Sequence, residues 1–317
     1  MIATISIALA AGLASALMFA SITSGAPISL LLIYLAPLPL MVVGLAWGEL
    51  GAAVGGIAAM LAIASLFGVP YSLAFVIANA LPAWWLSHLV LIARPIARAA
   101  APATPDEALE WYPVGRILLW IVIFATITTA TTLLTMGSDA PTIQNTIRKG
   151  LLDLMESAGL TLNDSTMDAL VTIAPIGAEI VAAVMLTLNL WLAAKIAATS
   201  GRLQRPWPDL KNTALPTITI AVLAATVAVS FSGGLLAIVA QILAAGLSIA
   251  YAMTGFAVLH TLTLAMKSRA LWLGCVYAIV AGFAWALLAI ALLGLADAVF
   301  GLRQRYLRGR PPPLPES

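Results

Sequence analysis

The sequence predicts an all-α fold, a polytopic transmembrane helix bundle with about eight to ten membrane segments in one domain over residues 1–301. Hydrophobic residues make up 62% of the chain and charged residues 9%, whereas a soluble domain carries about 25% charged residues. The apolar runs are continuous rather than alternating, and about 20 such residues span a hydrocarbon core as a helix. The many runs of this length exclude a soluble fold. Because backbone polar groups in lipid must be satisfied within helices or closed barrels, the continuous runs predict helices.

Four apolar runs precede the first basic residue, Arg94, and Glu49 is the only charged residue among them. The first run lacks the positive start of a cleaved secretory signal, so we expect a retained membrane helix. Glu49 lies at a helix end, where a hydrated carboxylate is the simplest interpretation. Turn signals rich in Gly and Pro separate the four predicted helices, which cover 2–22, 27–47, 50–67 and 71–93.

The middle of the chain begins with a polar connection, 94–115, in which Thr104 and Pro105 resemble a helix start. A fifth membrane helix is predicted over 116–136. Ser165 followed by Asp168 resembles a capping box, which predicts a sixth membrane helix over 168–195.

Between these helices lies the longest polar stretch, 137–168, in which apolar residues recur at four-residue spacing. This pattern predicts an extracytoplasmic amphipathic helix that lies on the membrane surface or caps the bundle. The residues of the apolar stripe are Ile143, Ile147, Leu151 and Met155.

The last third begins with a basic, proline-broken loop, 196–213, and continues with predicted helices over 215–231 and 235–266. We expect Gly246 and Gly255 to bend the second of these. Residues 270–301 fit either one steep helix or a hairpin that turns near Gly282 or Trp285. Asp297 is expected to pair with Arg303 or Arg305, and 302–317 is predicted to be a disordered cytoplasmic tail.

The positive charges predict the orientation, since short cytoplasmic loops collect Lys and Arg. If both termini are cytoplasmic, every basic residue except Arg148 and Lys149 lies inside. This arrangement requires 270–301 to enter and leave on the same side, as a hairpin. The competing topology breaks 235–266 and places Lys267 and Arg269 outside.

Glu179 is the strongest candidate for a functional side chain, because an ionisable group inside a membrane is costly. It lies eleven residues past Asp168, or about 16 Å along the helix, near the membrane midplane. It could bind a cationic or hydrogen-bonding substrate, or carry a proton. The alternative is a protonated acid that bonds a neighbouring helix, with a carbonyl freed by Pro175 as its partner.

Three further residues are candidates for substrate contacts. Asn79 and Trp84 lie on the helix over 71–93, on either side of a kink predicted at Pro82. The alternative, which we prefer, is interhelical hydrogen bonding together with interfacial aromatic packing. Asn189 lies on the sixth helix, where a role in helix association is the alternative.

Catalytic and cofactor motifs are absent from the sequence, which contains no HExxH, Walker phosphate loop or GxSxG. Two distant His residues and the single Cys275 do not favour a metal site or an intramolecular disulfide. We therefore expect no enzymatic activity, no cofactor and no nucleic-acid partner. The expected partners are membrane lipids and other membrane or ATPase subunits.

Several short motifs resemble a bacterial membrane protein family of unknown function, the YybS-like family. The motifs are Asn189-Leu190-Trp191, Gly201-Arg202-Leu203, Arg205-Pro206-Trp207-Pro208 and Gly294-Leu295-Ala296-Asp297 followed by Phe300, Arg303 and Arg305. That family is distantly similar to the substrate-binding subunits of energy-coupling-factor transporters and to MreD. The resemblance implies the bacterial inner membrane and a six-helix core with added helices. In those subunits an AxxxA face docks the partner, and Ala10 and Ala14 match it.

These observations support two functional hypotheses. The first is a substrate-binding or transport protein with a cavity among the fourth and sixth helices, Glu179 as the charged contact, and an energy source in a partner or ion gradient. The second is a non-catalytic membrane scaffold that recruits cell-envelope or division machinery through its loops and basic tail.

Overall fold

A computed structural model of the chain describes residues 2–95, 109–283 and 285–308. It is a bundle of α-helices with one short two-stranded ribbon, so the predicted all-α membrane fold is confirmed. Among the described residues, 7 helical segments are long and apolar enough to cross a membrane, or 8 if the bent pair Ala286–Phe300 and Leu302–Arg308 is one span. The count of 8 reaches the lower end of the predicted eight to ten segments and the count of 7 lies just below it, since Ile218–Val229 and Arg269–Gly282 are shorter helices.

The first three membrane spans lie side by side and pack through small residues. A β-carbon at Gly55 would lie 2.6 Å from the carbonyl oxygen of Ala8, so only glycine allows the first and third spans to approach this closely. The second span is interrupted at Pro37, which cannot donate a helix hydrogen bond. The helices are α1 (Ile2–Ala20), α2 (Ile28–Leu35), α3 (Leu38–Trp47) and α4 (Glu49–Phe67).

The fourth span contains a π turn where the sequence predicts a kink. It consists of α5 (Val69–Phe75), the π turn Val76–Ala80 and α6 (Leu81–Leu91). The N–H of Leu81 donates to the carbonyl of Val76, five residues back, immediately before Pro82. The wider turn accommodates the proline without ending the helix.

A two-stranded antiparallel ribbon follows, with β1 (Ala93–Pro95) paired to β2 (Leu109–Trp111). The helix start predicted at Thr104 and Pro105 lies outside the described residues.

Next come α7 (Val114–Met136), α8 (Ala140–Ser157) and the long α9 (Asp164–Thr199). The α8 helix packs against α7, α9 and α11, with Ile143 fully buried, so the predicted amphipathic segment caps the bundle. The capping box predicted at Ser165 and Asp168 is wrong. Asn163 is the N-cap of α9 and accepts from the N–H of Thr166, while Asp168 pairs with Arg148.

The remaining helices are α10 (Ile218–Val229), α11 (Gly234–Leu262), α12 (Arg269–Gly282), α13 (Ala286–Phe300) and α14 (Leu302–Arg308). The α11 helix is continuous through Gly246 and Gly255, where a bend was expected. Both glycines lie at close helix contacts.

The segment 270–301 forms two helices that separate after Gly282 and resume at Ala286. Arg269, at the start of α12, contacts His260 near the end of α11. Arg303, just after α13, donates to the carbonyl of Lys211, and Lys211 lines the same cavity as His260. The hairpin therefore begins and ends at the same end of the bundle. Residues Leu302–Arg308, placed in the tail by sequence, are helical, and 309–317 lie outside the described residues.

The bundle has two distinct ends. The loop end carries the β1–β2 ribbon, the connection between α9 and α10, the start of α12 and the end of α13. The α8 end carries α8 and the turn between α10 and α11, which surround a common small cavity. The loops predicted to be cytoplasmic thus share the loop end, whereas Arg148 and Lys149 lie on α8. The assignment of the loop end to the cytoplasm stays a prediction.

Candidate functional site

Glu179 lies on α9 with its side chain completely buried. Its Oε1 atom accepts a hydrogen bond of 3.0 Å from the hydroxyl of Thr126 on α7. Thr129, one turn further along α7, faces the same carboxyl group. The second oxygen, Oε2, has no hydrogen-bond partner among the described residues. The sequence prediction of a carboxyl group buried inside the bundle is therefore confirmed, with a threonine as its partner.

The carbonyl freed by Pro175 does not bond Glu179, whose hydrogen-bond partner is Thr126. A proline at this position leaves the carbonyl of Val171, four residues back, without its usual helix donor. Val171 and Pro175 both line a cavity of about 220 Å³ at the α8 end. The cavity also has polar side chains in its wall, namely Gln144, Thr172, Ser230 and Gln241.

A cavity of about 820 Å³ lies at the loop end. Its walls come from α7, α9, α11, the connection 203–213 and α12. Most of the wall is apolar, with residues such as Ile117, Ile121, Leu190 and Phe256. A volume of this size suits a small-molecule ligand.

Arg205 is the charged group most deeply embedded in the wall of this cavity. The residue is 8% exposed and donates one hydrogen bond of 3.3 Å to the carbonyl of Val90 on α6. Its guanidinium lies 5.9 Å from the ring centre of Trp111. It forms no ion pair within the described part of the chain, and burial lowers the pKa of the Arg205 guanidinium from its usual value. A guanidinium can donate charge-assisted hydrogen bonds to a carboxylate or phosphate.

Other polar groups lie along the same wall. His260 Nε2 and the hydroxyl of Tyr277 are 2.9 Å apart, which joins α11 to α12. Lys211 is the second basic residue of the lining, and Asp209 is its acidic residue, with Oδ1 accepting from the backbone N–H of Lys211 at 3.1 Å. The polar end of the cavity therefore combines two basic side chains, one acidic side chain, an imidazole and a phenol.

The connection between α9 and α10 is held in place by cation–π contacts. Lys195 Nζ lies 4.0 Å from the ring centre of Trp207, and the Arg202 guanidinium lies 4.6 Å from that of Trp47. These contacts order a segment that the sequence indicates only as a basic surface loop.

Asn189 is completely buried on α9 but faces a different neighbour from Glu179. Its Nδ2 atom donates to the carbonyls of Tyr34 and Met185, both at 2.8 Å. Tyr34 lies just before the helix break at Pro37, so this bond joins α9 to the broken span. Oδ1 of Asn189 has no partner among the described residues.

Asn79 and Trp84 both lie on the fourth span. Asn79 is in the π turn with 4% exposure. The ring of Trp84 contacts the rings of Trp85 and His88. None of the four predicted substrate contacts lines the 820 Å³ cavity.

Glu49 is not simply a hydrated carboxylate, because Oε2 of Glu49 contacts Nδ1 of His88. The two side chains are half-exposed at the loop end, where α4 begins and α6 ends. This contact joins α4 to α6.

Sequence reasoning missed Arg205 as a candidate. The general excess of basic residues in cytoplasmic loops is enough to explain its charge. The available signal was its position between Leu203 and the Pro206-Trp207-Pro208 segment, since flanking apolar and aromatic residues indicate that a loop is packed rather than solvated.

One comparison with known proteins finds a match. The model of a family described as "Predicted membrane protein (DUF2232)" matches residues 12–298 of the chain. None of the curated proteins and none of the solved structures matches it.

Proposed function

We propose that this chain, which belongs to the family of predicted membrane proteins DUF2232, binds a small amphipathic anion in the 820 Å³ cavity at its loop end. We further propose that the protein is the substrate-binding component of a transport system. The observation that carries the proposal is the buried Arg205 guanidinium in the cavity wall, which has no ion-pair partner among the described residues.

The shape and lining of the cavity favour a ligand with an apolar body. Ile117, Ile121 and Leu190 provide an apolar wall within the bundle. Burial of apolar surface contributes about 25 cal/mol per Å², so a chain or ring system gains affinity there.

The charged end of the cavity favours one anionic group. A guanidinium presents a planar set of donors that matches a carboxylate or phosphate. Lys211 adds a second positive charge, while His260 and Tyr277 offer neutral hydrogen-bonding groups. A ligand anion that bonds Arg205 removes the cost of an unpaired buried cation.

The proposed place in a transport system rests on the resemblance to substrate-binding subunits that work with a separate ATPase. The chain contains no phosphate-binding loop of its own. On α1 the AxxxA pair remains available, since Ala10 is exposed and Ala14 is half-exposed while Gly12 packs against α4. A partner helix can therefore approach this face without displacing the contacts inside the bundle.

Ligand binding is tested with the purified protein in lipid nanodiscs and three probes of equal chain length: decanoate, its uncharged methyl ester and decylammonium. Native mass spectrometry and isothermal titration are expected to show binding of decanoate in preference to the other two. Arg205→Gln should weaken decanoate binding about tenfold to a hundredfold, because a charge-assisted hydrogen bond contributes about 1.5–3 kcal/mol.

The matched control is Arg202→Gln. Arg202 lies in the same connection but is exposed and does not line the cavity. Unchanged affinity in Arg202→Gln and reduced affinity in Arg205→Gln support the proposal. Equal binding of the three probes, or no effect of Arg205→Gln, contradicts it.

A further inference from the structure

Glu179 is a buried acid whose surroundings differ from those of the ligand cavity. Its carboxyl group is at the meeting point of α7, α9 and α11 and does not line the 820 Å³ cavity. One oxygen is held by Thr126, and the other has no partner among the described residues. A buried oxygen without a donor is costly, which points to an additional species at Oε2.

Among the described residues, no basic side chain balances the negative charge of the Glu179 carboxylate. The bases on the three helices lie far along their axes: Arg116 on α7 is about 15 Å from the level of Thr126, Lys195 on α9 about 24 Å from Glu179, and His260 on α11 about 21 Å from Gly246. Within the described residues, none of them forms an ion pair with Glu179.

The other ionisable groups on the helices packed against α9 either bond to a residue other than Glu179 or lie at a different depth in the bundle. Tyr251 on α11 is hydrogen-bonded to Thr219, and Asp168 at the start of α9 pairs with Arg148 of α8. Tyr34 on α2 contacts α9 at the level of Asn189, about 15 Å along the axis from Glu179. The rest lie at the ends of the bundle: His88 on α6, Lys149, Asp153 and Glu156 on α8, and Asp164 on α9. Within the described part of the chain, no ionisable group therefore neutralises Glu179.

A cavity with polar side chains in its wall lies near this carboxyl group, at the α8 end. The 220 Å³ cavity there is large enough for several water molecules and has Thr172 and Gln241 in its wall. Pro175, also in the wall, is one helical turn from Glu179, or about 6 Å along the axis. The carbonyl of Val171, freed by Pro175, supplies a further acceptor at the cavity.

The smallest species that fits is a proton. The space beside Oε1 is filled by Gly246 and Val122, so a hydrated cation has no room on that side. A proton converts the carboxylate to a neutral acid, which is far less costly at membrane depth than a charge. It also turns one oxygen into a hydroxyl that donates to a water or a carbonyl.

We propose that Glu179 is a proton-binding site that exchanges with water through the cavity at the α8 end. In the exchange, a hydronium ion gives its proton to Oε2 and leaves as water, and the reverse step restores the carboxylate. The route opens on the opposite end of the bundle from the ligand cavity, so the two sites are reached from different sides of the membrane. This inference stands whether or not an anion binds at Arg205.

Infrared difference spectroscopy on the protein in nanodiscs tests the site directly, since a protonated carboxyl group has its own carbonyl stretching band. On acidification we expect a carboxylic-acid band that develops in the native protein and is lost in Glu179→Gln. The control Glu49→Gln, at the half-exposed contact with His88, should keep the band. Glu179→Asp should shift the band rather than remove it, which keeps the test valid if Glu179→Gln is poorly folded.

Access is tested with Gln241→Leu, which removes a polar side chain from the cavity wall. After a rapid pH change the band should develop at least several-fold more slowly, with an unchanged final amplitude. A Glu179-dependent band that is equally strong at every pH, or no such band at any pH, overturns the proton-exchange proposal. An unchanged rate in Gln241→Leu overturns the route.

Discussion

Gly246 on α11 faces the carboxyl group of Glu179 on α9 so closely that a β-carbon at position 246 would overlap Oε1. The same β-carbon would lie 2.8 Å from Cγ1 of Val122 on α7. Three helices thus meet around one buried carboxyl group, and the absence of a side chain at position 246 is what allows them to meet there.

Gly246→Ala should therefore destabilise the protein by about 1–3 kcal/mol, the usual cost of an extra methyl group in a packed interior. Thermal unfolding in detergent, followed by intrinsic fluorescence, measures the effect. Gly177→Ala is the control, because Gly177 also lies within a membrane helix but a β-carbon there would meet nothing within 4 Å. Equal melting temperatures for the two variants would show that the contact at Glu179 is not tightly packed.

A second glycine contact holds the hairpin to the bundle. A β-carbon at Gly255 of α11 would overlap the carbonyl oxygen of Ile290 on α13, and one at Gly294 would lie 2.6 Å from Oγ1 of Thr254. Gly255→Ala should push α13 away and lower the melting temperature, because a backbone carbonyl cannot move aside as a side chain can. Gly274→Ala in α12, where a β-carbon would meet nothing within 4 Å, should have little effect.

Much of the architecture could be predicted because lipid imposes long apolar segments. The helix ends at Phe67 and Met136 and the break after Gly282 follow local Gly, Pro and polar signals. The Asp297–Arg303 pair was predicted from proximity in the chain and is confirmed. Glu179 was predicted to be buried because it lies near the middle of a long apolar run.

The ligand cavity could not be predicted because it depends on contacts between distant segments. Arg205 bonds to Val90, 115 residues earlier, and no periodic pattern records such a contact. The sequence likewise did not reveal that Gly246 and Gly255 lie at close helix contacts, because a glycine in lipid is favoured for close approach as well as for flexibility.

The ion pair between Asp297 and Arg303 should contribute strongly to stability. The side chains are only 8% and 12% exposed, and the two charged groups are 2.7 Å apart. Asp297→Asn should cost about 3–5 kcal/mol, because it leaves Arg303 buried without its counter-ion. A double-mutant cycle with Arg303→Gln isolates the coupling between the two residues.

The exposed pair of Arg94 and Glu110 is the control for this prediction. Its side chains are 76% and 52% exposed, so Glu110→Gln should cost about 1 kcal/mol or less. Similar losses for Asp297→Asn and Glu110→Gln would mean that burial does not strengthen the Asp297 pair.

The hairpin of α12 and α13 predicts that its two ends face the same side of the membrane. Single cysteines at Ser268 and Gln304, introduced with Cys275→Ser, should react with a membrane-impermeant thiol reagent from the same face. A cysteine at Gln144 on α8 should react only from the opposite face. Labelling of positions 268 and 304 from opposite faces would require α12 and α13 to cross the membrane as one segment.

The N-terminus of α8 should be sensitive to acid. The Asp139 carboxylate accepts from the backbone N–H and from the hydroxyl of Thr142, both at 2.9 Å, and these bonds, led by the one from the backbone, lower the pKa of Asp139 from its usual value. A lowered pKa in the folded state means that the cap stabilises α8 above the ordinary Asp pKa, and that this stability is lost as the pH falls through the lowered value.

Amide hydrogen exchange in the first turn of α8, corrected for intrinsic rates, should therefore speed up in acid. Asp139→Asn should abolish this dependence, and the neutral cap of α9, where Asn163 accepts from Thr166 at 2.8 Å, should not show it. Parallel acid fraying of both helices would instead point to general loosening of the α8 end.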